Sequence, residues 1–135
     1  MSRALLAMLC AAVSLSCRGD AERLPPPLPK DGSAVPYRQI LTRLSAQANT
    51  AKEEHFLSNW DGVVDASAGI ENSTAYILKA PDLPILHRSK IEKSSSELHS
   101  NAVKLREAAR KKDQTESLDL IRRIHNQIHE LQEFK

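Results

Sequence analysis

The sequence predicts an all-α protein, an antiparallel up-down-up-down four-helix bundle preceded by a signal peptide and a Pro-rich linker. Three observations predict it. Apolar residues recur at spacings of three and four along stretches of about twenty residues, the repeat of one helical face. The 135 residues contain only 4 glycines, and aromatics make up 4%, so large strand-forming residues are few. Short polar turns rich in helix-start residues separate the apolar stretches, and short connections make neighbouring helices antiparallel.

Residues 1–16 read as an export signal. Arg3 supplies a positive n-region, residues 4–13 an apolar h-region, and Ser14-Leu15-Ser16 the small residues of a cleavage site. The run is too short to serve as a permanent membrane span. Cys17 follows directly, and the junction resembles the lipobox of bacterial lipoproteins, with Ser14 where that motif usually has Leu. The resemblance implies acylation of Cys17 and a membrane anchor; ordinary secretion is the alternative. Cys10 falls within the signal, so Cys17 is the only cysteine expected in the processed chain, which excludes an intrachain disulfide. The expected location is the periplasm or cell envelope.

Residues 17–35 form the linker. Pro25-Pro26-Pro27-Leu28-Pro29 is extended and cannot be helical. It serves either as a spacer from a membrane or as a processed terminus. The bundle domain is expected over residues 36–135. Lys and Arg number 19 against 17 Asp and Glu, with the signs mixed and no basic block, which argues against a nucleic-acid partner.

Helix one is predicted over 36–55, with Pro36 in the first turn. Tyr37, Leu41, Leu44, Ala48, Ala51 and His55 form a heptad seam, and Ile40 widens it. Helix two is predicted to open on a capping box, Ser58-Asn59-Trp60-Asp61, and to run to about residue 79. Its buried face is Trp60, Val63, Ala66, Ile70 and Ile77, weakened somewhat by Gly62 and Gly69. Trp60 is read as a core plug at one end, the minority alternative being a ligand-lining role. Helix three starts near Pro84 or Ser89 and ends near Lys112, with a seam of Ile91, Ser95, Leu98, Ala102, Leu105 and Ala109. Ser94-Ser95-Ser96 is read as a weak solvated turn in preference to a small-residue gap. Asp113-Gln114-Thr115-Glu116 is a second capping box. The last helix, 118–134, carries a stripe of Ile121, Ile124, Ile128 and Leu131.

Three features of this pattern resemble the cytochrome c-prime-like four-helix bundles. They are Asn59-Trp60-Asp61-Gly62-Val63-Val64 opening helix two, the Lys79-Ala80-Pro81-Asp82-Leu83-Pro84 loop before a helix that ends in Ala108-Ala109-Arg110-Lys111-Lys112-Asp113, and a final helix with a histidine near its end. In that family the last helix carries Cys-x-x-Cys-His, two thioether attachments and an axial ligand. Here those positions are His125-Asn126-Gln127-Ile128-His129, so the histidine remains as His129 and both cysteines are replaced. Covalent attachment through this motif is ruled out. The resemblance implies non-covalent haem at most, with His129, and with it His125, as the cofactor-binding residues. The b-type relatives add a methionine from their first helix, and no methionine follows the signal here.

At about 100° per residue, His125 lies roughly 60–70° and His129 about 110° from the centre of the isoleucine stripe. Three readings of the pair stay open. Both are idle boundary histidines; or His129 binds haem; or the i, i+4 pair is a small zinc, copper or nickel site that includes His129. The last needs a third ligand, for which His55, His87 and His99 are candidates if the fold brings them close.

No serine sits in a nucleophile elbow and no Gly-rich loop is suited to phosphate, so no enzymatic activity is expected. The functional expectation is an exported bundle that binds haem for electron transfer or small-gas binding. The alternative is a haem-free bundle acting as an envelope scaffold, partner-binding or metal-binding lipoprotein. The partners expected are a membrane reached through Cys17 and an unidentified protein; a homodimer is compatible with the pattern.

Overall fold

A computed structural model describes residues 27–134. The signal expectation, Cys17 and residues 18–26 of the linker lie outside the described residues. Four helices account for most of the rest: α1 (Tyr37–Phe56), α2 (Trp60–Ile77), α3 (Arg88–Arg110) and α4 (Gln114–Glu133), with a single 3₁₀ turn, Ile85–His87, leading into α3. No strand occurs among the described residues. None of these helices is long and apolar enough to cross a membrane.

The helices pack in a ring. α1 lies against α2 and α4, and α3 lies against α2 and α4, while the backbones of the diagonal pairs stay apart. The interior is filled by the predicted seams. Tyr37, Ile40, Leu41, Leu44, Ala48, Ala51 and His55 of α1 are buried, as are Ile121, Ile124, Ile128 and Leu131 of α4. Burial of such side chains contributes about 1.5–3 kcal/mol each, the main favourable term in folding.

The turns between α1 and α2 and between α3 and α4 are built alike. Ser58 and Lys112 both have positive φ, +56° and +57°. In the first turn Ser58 N–H donates to the His55 carbonyl and Asn59 N–H to the Glu54 carbonyl. In the second, Lys112 N–H donates to Ala109 and Asp113 N–H to Ala108. These are Schellman closures, with a left-handed residue just past each helix. The next residue then starts the following helix: the Asn59 side chain accepts from Gly62 N–H, and Asp113 from Glu116 N–H. The Asp113 cap agrees with the sequence reading. The cap of α2 does not, because Ser58 is taken up in closing α1 and its left-handed backbone cannot serve as an N-cap, so Asn59 does so.

Two further expectations are corrected. Trp60 is half-buried, its ring meeting His55 edge-on at 5.6 Å, so it flanks the core without plugging it. Ser94 and Ser95 are buried within α3 and do not form a solvated turn; only Ser96 is exposed. The small hydroxyls fit where α3 meets its neighbours closely. Gly62 and Gly69 leave room for side chains of α1: an added Cβ would lie 2.7 Å from the Glu54 carboxylate and 2.5 Å from Gln47 Nε2.

Polar pairs tie the helices at the margins of the core. Gln47 Oε1 and the Gly69 carbonyl both lie 2.9 Å from the Ser73 hydroxyl. Thr74 meets His99 at 3.1 Å, and Glu71 pairs with Arg106 at 3.1 Å. Asn101 donates to Gln127, and Gln132 to Ser45. The linker's end is part of the fold too: Val35 is buried, Leu28 packs on the core, and Tyr76 donates its hydroxyl to the Pro29 carbonyl.

Candidate functional site

His125 and His129 share α4 but not an environment. His125 is half-buried, and both ring nitrogens face protein partners. Nδ1 is 2.9 Å from the Ile121 carbonyl, and Nε2 is 3.1 Å from Asn49 Oδ1. The His129 side chain is 74% exposed and lies 3.8 Å from Glu133. An axial ligand needs an apolar slot beside it to hold the macrocycle. His129 stands on the outer face, and His125 already uses the nitrogens a metal would need, so these residues do not fit haem as they are arranged.

The other histidines are dispersed. His55 places Nε2 3.1 Å from the Gln114 carbonyl, His87 stacks at 5.2 Å on Phe134, and His99 meets Thr74. Among the described residues no three His, Cys, Asp or Glu side chains are grouped to hold a metal ion. The third ligand that the paired histidines would need is therefore not brought to them.

A roomy cleft lies at one end of the bundle, where the chain enters α1. A cleft of about 640 Å³ opens there between Tyr37, Arg38, Leu41 and Thr42 of α1, Asp82 and Pro84 of the long loop, and Gln132 and Phe134 at the end of α4. Ala80 and Leu83 bury this loop against the core, and a hydrogen bond ties it to α1. Pro36 has no side-chain acceptor for the first turn of α1, and Asp82 supplies it from 45 residues away, accepting from Tyr37 N–H at 2.6 Å. A carboxylate at a helix N-terminus is also favoured by the helix dipole.

Tyr37 closes the other side. Its hydroxyl donates to the Leu131 carbonyl at 2.9 Å, a group in the last turn of α4 with no intrahelical partner to expect. Burial pushes the Tyr37 phenol up to about 12. The cleft wall is thus a neutral phenol, a carboxylate already engaged with the backbone, the Arg38 guanidinium, the polar side chains of Thr42 and Gln132, and the apolar surface of Leu41, Pro84 and Phe134. Among the residues that line it no nucleophile is paired with a base.

Beside the cleft, Ile85 and Leu86 of the 3₁₀ turn are 82% and 96% exposed. The sequence reading ends the loop at Pro84 and does not assign an outward face to these two residues. The available signal was that Ile85-Leu86 belongs to no seam. At the opposite end Phe56 and Leu57 are likewise exposed, beside Lys52 and Glu53. Comparison of the chain with protein-family models, with curated proteins and with solved structures finds no match.

Proposed function

We propose that this protein is a haem-free helical bundle that works as a binding or scaffold module of the cell envelope, tethered through acylated Cys17. In this reading the four helices run up-down-up-down. Cross-helix partners support that topology: Tyr37 meets Leu131, Asn49 meets His125 and His55 meets Gln114, so position rises along α1 as it falls along α4. The same opposition relates Thr74 with His99 and Glu71 with Arg106. The likeness to cytochrome c-prime bundles then describes a shape whose cofactor has been lost.

The single observation that carries this reading is the placement of His129. The histidine aligned with the axial ligand points to solvent, while the aliphatic stripe beside it, Ile121, Ile124 and Ile128, is packed against the other helices. A haem would have to displace that packing. Hemin titration of the chain from residue 17 onward tests it. The expected result is no saturable Soret band at micromolar hemin, in the wild type or in His129→Ala. A sharp band that shifts on reduction and disappears in His129→Ala overturns the reading in favour of a non-covalent cytochrome. The tether is tested by feeding an exporting host labelled fatty acid, with label expected on the wild type and absent from Cys17→Ser.

A further inference from the structure

We propose that the end of the bundle carrying Ile85 and Leu86 is a membrane-docking face that inserts into an anionic lipid surface. This rests on the tethered reading above and names the surface that the tether serves. The two side chains are the most exposed large aliphatics among the described residues, adjacent, and carried on one 3₁₀ turn. Neither belongs to a seam or fills a cavity. An isoleucine and a leucine held out together are a wedge of the size that enters the boundary between headgroups and acyl chains.

The charges around them suit phosphate headgroups. Arg88 and Lys90 follow at once in the first turn of α3, both exposed. That turn holds no acidic residue and no side-chain cap. Cations at a helix N-terminus are disfavoured by the helix dipole, so this placement weakens the helix locally. An anionic surface reverses the sign of that effect. Exposed Arg38 and Lys79 lie on elements that meet at the same end. Of the nearby acids, Asp82 is turned onto Tyr37 N–H, Glu133 lies beside His129, and Glu92 sits further along α3.

The chain's own course points the same way. Val35 and Pro36 enter the bundle at this end, next to the Asp82 contact. Cys17 is ten residues before Pro27, which limits its reach from there to about 35 Å even when fully extended. An anchor so close keeps the face at high local concentration over the bilayer, so a weak contact suffices.

The test uses the chain from residue 17 with Cys17→Ser, so that no acyl group contributes and a failure of acylation does not affect the result. Flotation is measured with vesicles of phosphatidylcholine alone and of phosphatidylcholine with phosphatidylglycerol. The expected result is preferential flotation with the anionic vesicles. It should fall about tenfold in Ile85→Ser/Leu86→Ser. Arg88→Gln/Lys90→Gln should lose the preference for phosphatidylglycerol, each charge near the surface being worth about fivefold. Phe56→Ser/Leu57→Ser, at the far end, should float like the wild type. All four variant positions of the docking face are exposed, so circular dichroism melting should not fall in either double variant, and it should rise slightly in Arg88→Gln/Lys90→Gln as two cations leave the start of α3. Flotation that is absent, or equal in the wild type and Ile85→Ser/Leu86→Ser, overturns the proposal. So does a dimer in sedimentation that this variant dissolves, which would assign the face to a second copy of the chain.

Discussion

Tyr37→Phe isolates the bond that joins the beginning of α1 to the end of α4. The substitution keeps the ring and removes the hydroxyl, leaving the Leu131 carbonyl, buried at 2.9 Å from that oxygen, without its donor. A buried acceptor left unpaired costs about 1–3 kcal/mol. For a domain near a hundred residues that lowers Tm by about 4–8 °C per kcal/mol. A second reading comes from pH. The Tyr37 phenol titrates near 12 in the folded protein against an ordinary 10, raised by burial. A raised folded value means that the native state holds its proton more tightly, so the contribution is complete below pH 10 and is lost as pH rises towards 12. With allowance for solvent reaching the ring from the cleft it lines, the loss is about 1–2 kcal/mol. Urea unfolding followed at 222 nm, at pH 8 and at steps up to pH 11.5, measures both quantities. The variant should be less stable at pH 8, and the gap should narrow at high pH. A variant within 0.3 kcal/mol (about the error of such a comparison) at pH 8, with a gap that does not change with pH, would refute the reasoning.

Other substitutions probe the core and the turns by the same unfolding assay. Ile128→Ala should destabilise by about 2–5 kcal/mol, since the side chain is 3% exposed where α4 meets α1 and α3; a change under about 0.5 kcal/mol would mean that this face of α4 is not packed. Asp113→Ala removes the acceptor for Glu116 N–H and should cost about 0.5–2 kcal/mol. Lys112→Gly should have the opposite sign: a left-handed backbone costs a side-chain-bearing residue about 1–2 kcal/mol, glycine's greater freedom when unfolded returns about 0.5–1, and a net gain of about 0.5–1 kcal/mol remains. Gly69→Ala should be near neutral, because a gain in helix propensity of about 1 kcal/mol is offset by displacing Gln47 from Ser73.

Much of this fold was legible in the sequence, for a physical reason. A heptad seam is a local pattern, so Leu44, Leu98, Leu105 and Ile124 announced their burial before any neighbour was known. Caps are local as well, which is why Asp113 was identified correctly. Ser58 was misread because Ser58 and Asn59 are both good N-caps, and the choice between them depends on how α1 ends, which their own chemistry does not encode. Ser94 and Ser95 were misread because a hydroxyl on a buried face is decided by how near the neighbouring helix comes. The candidate site was less legible than the fold. Asp82 serves α1 from 45 residues away, and the pairs Gln47–Ser73 and Glu71–Arg106 join separate helices. No spacing rule foretells such partners. The histidines drew notice by composition and resemblance, yet whether an imidazole faces water follows only from the turn of the finished helix.

The two short turns leave no slack. In each, a single residue both finishes one rod and begins the next, so Asn59 and Asp113 hold two duties at once. Adding even one amino acid at either corner would part the two duties, so that the closure of one helix and the cap of the next could no longer fall on the same residue. Insertions at these corners should therefore lower stability by the worth of a cap, about 0.5–2 kcal/mol, whereas the exposed residues of the span between α2 and α3 can change with both caps undisturbed, so long as Asp82 and the buried Leu83 stay. Novelty in a lineage of such proteins would accumulate there, at the tip where Ile85 and Leu86 already stand out.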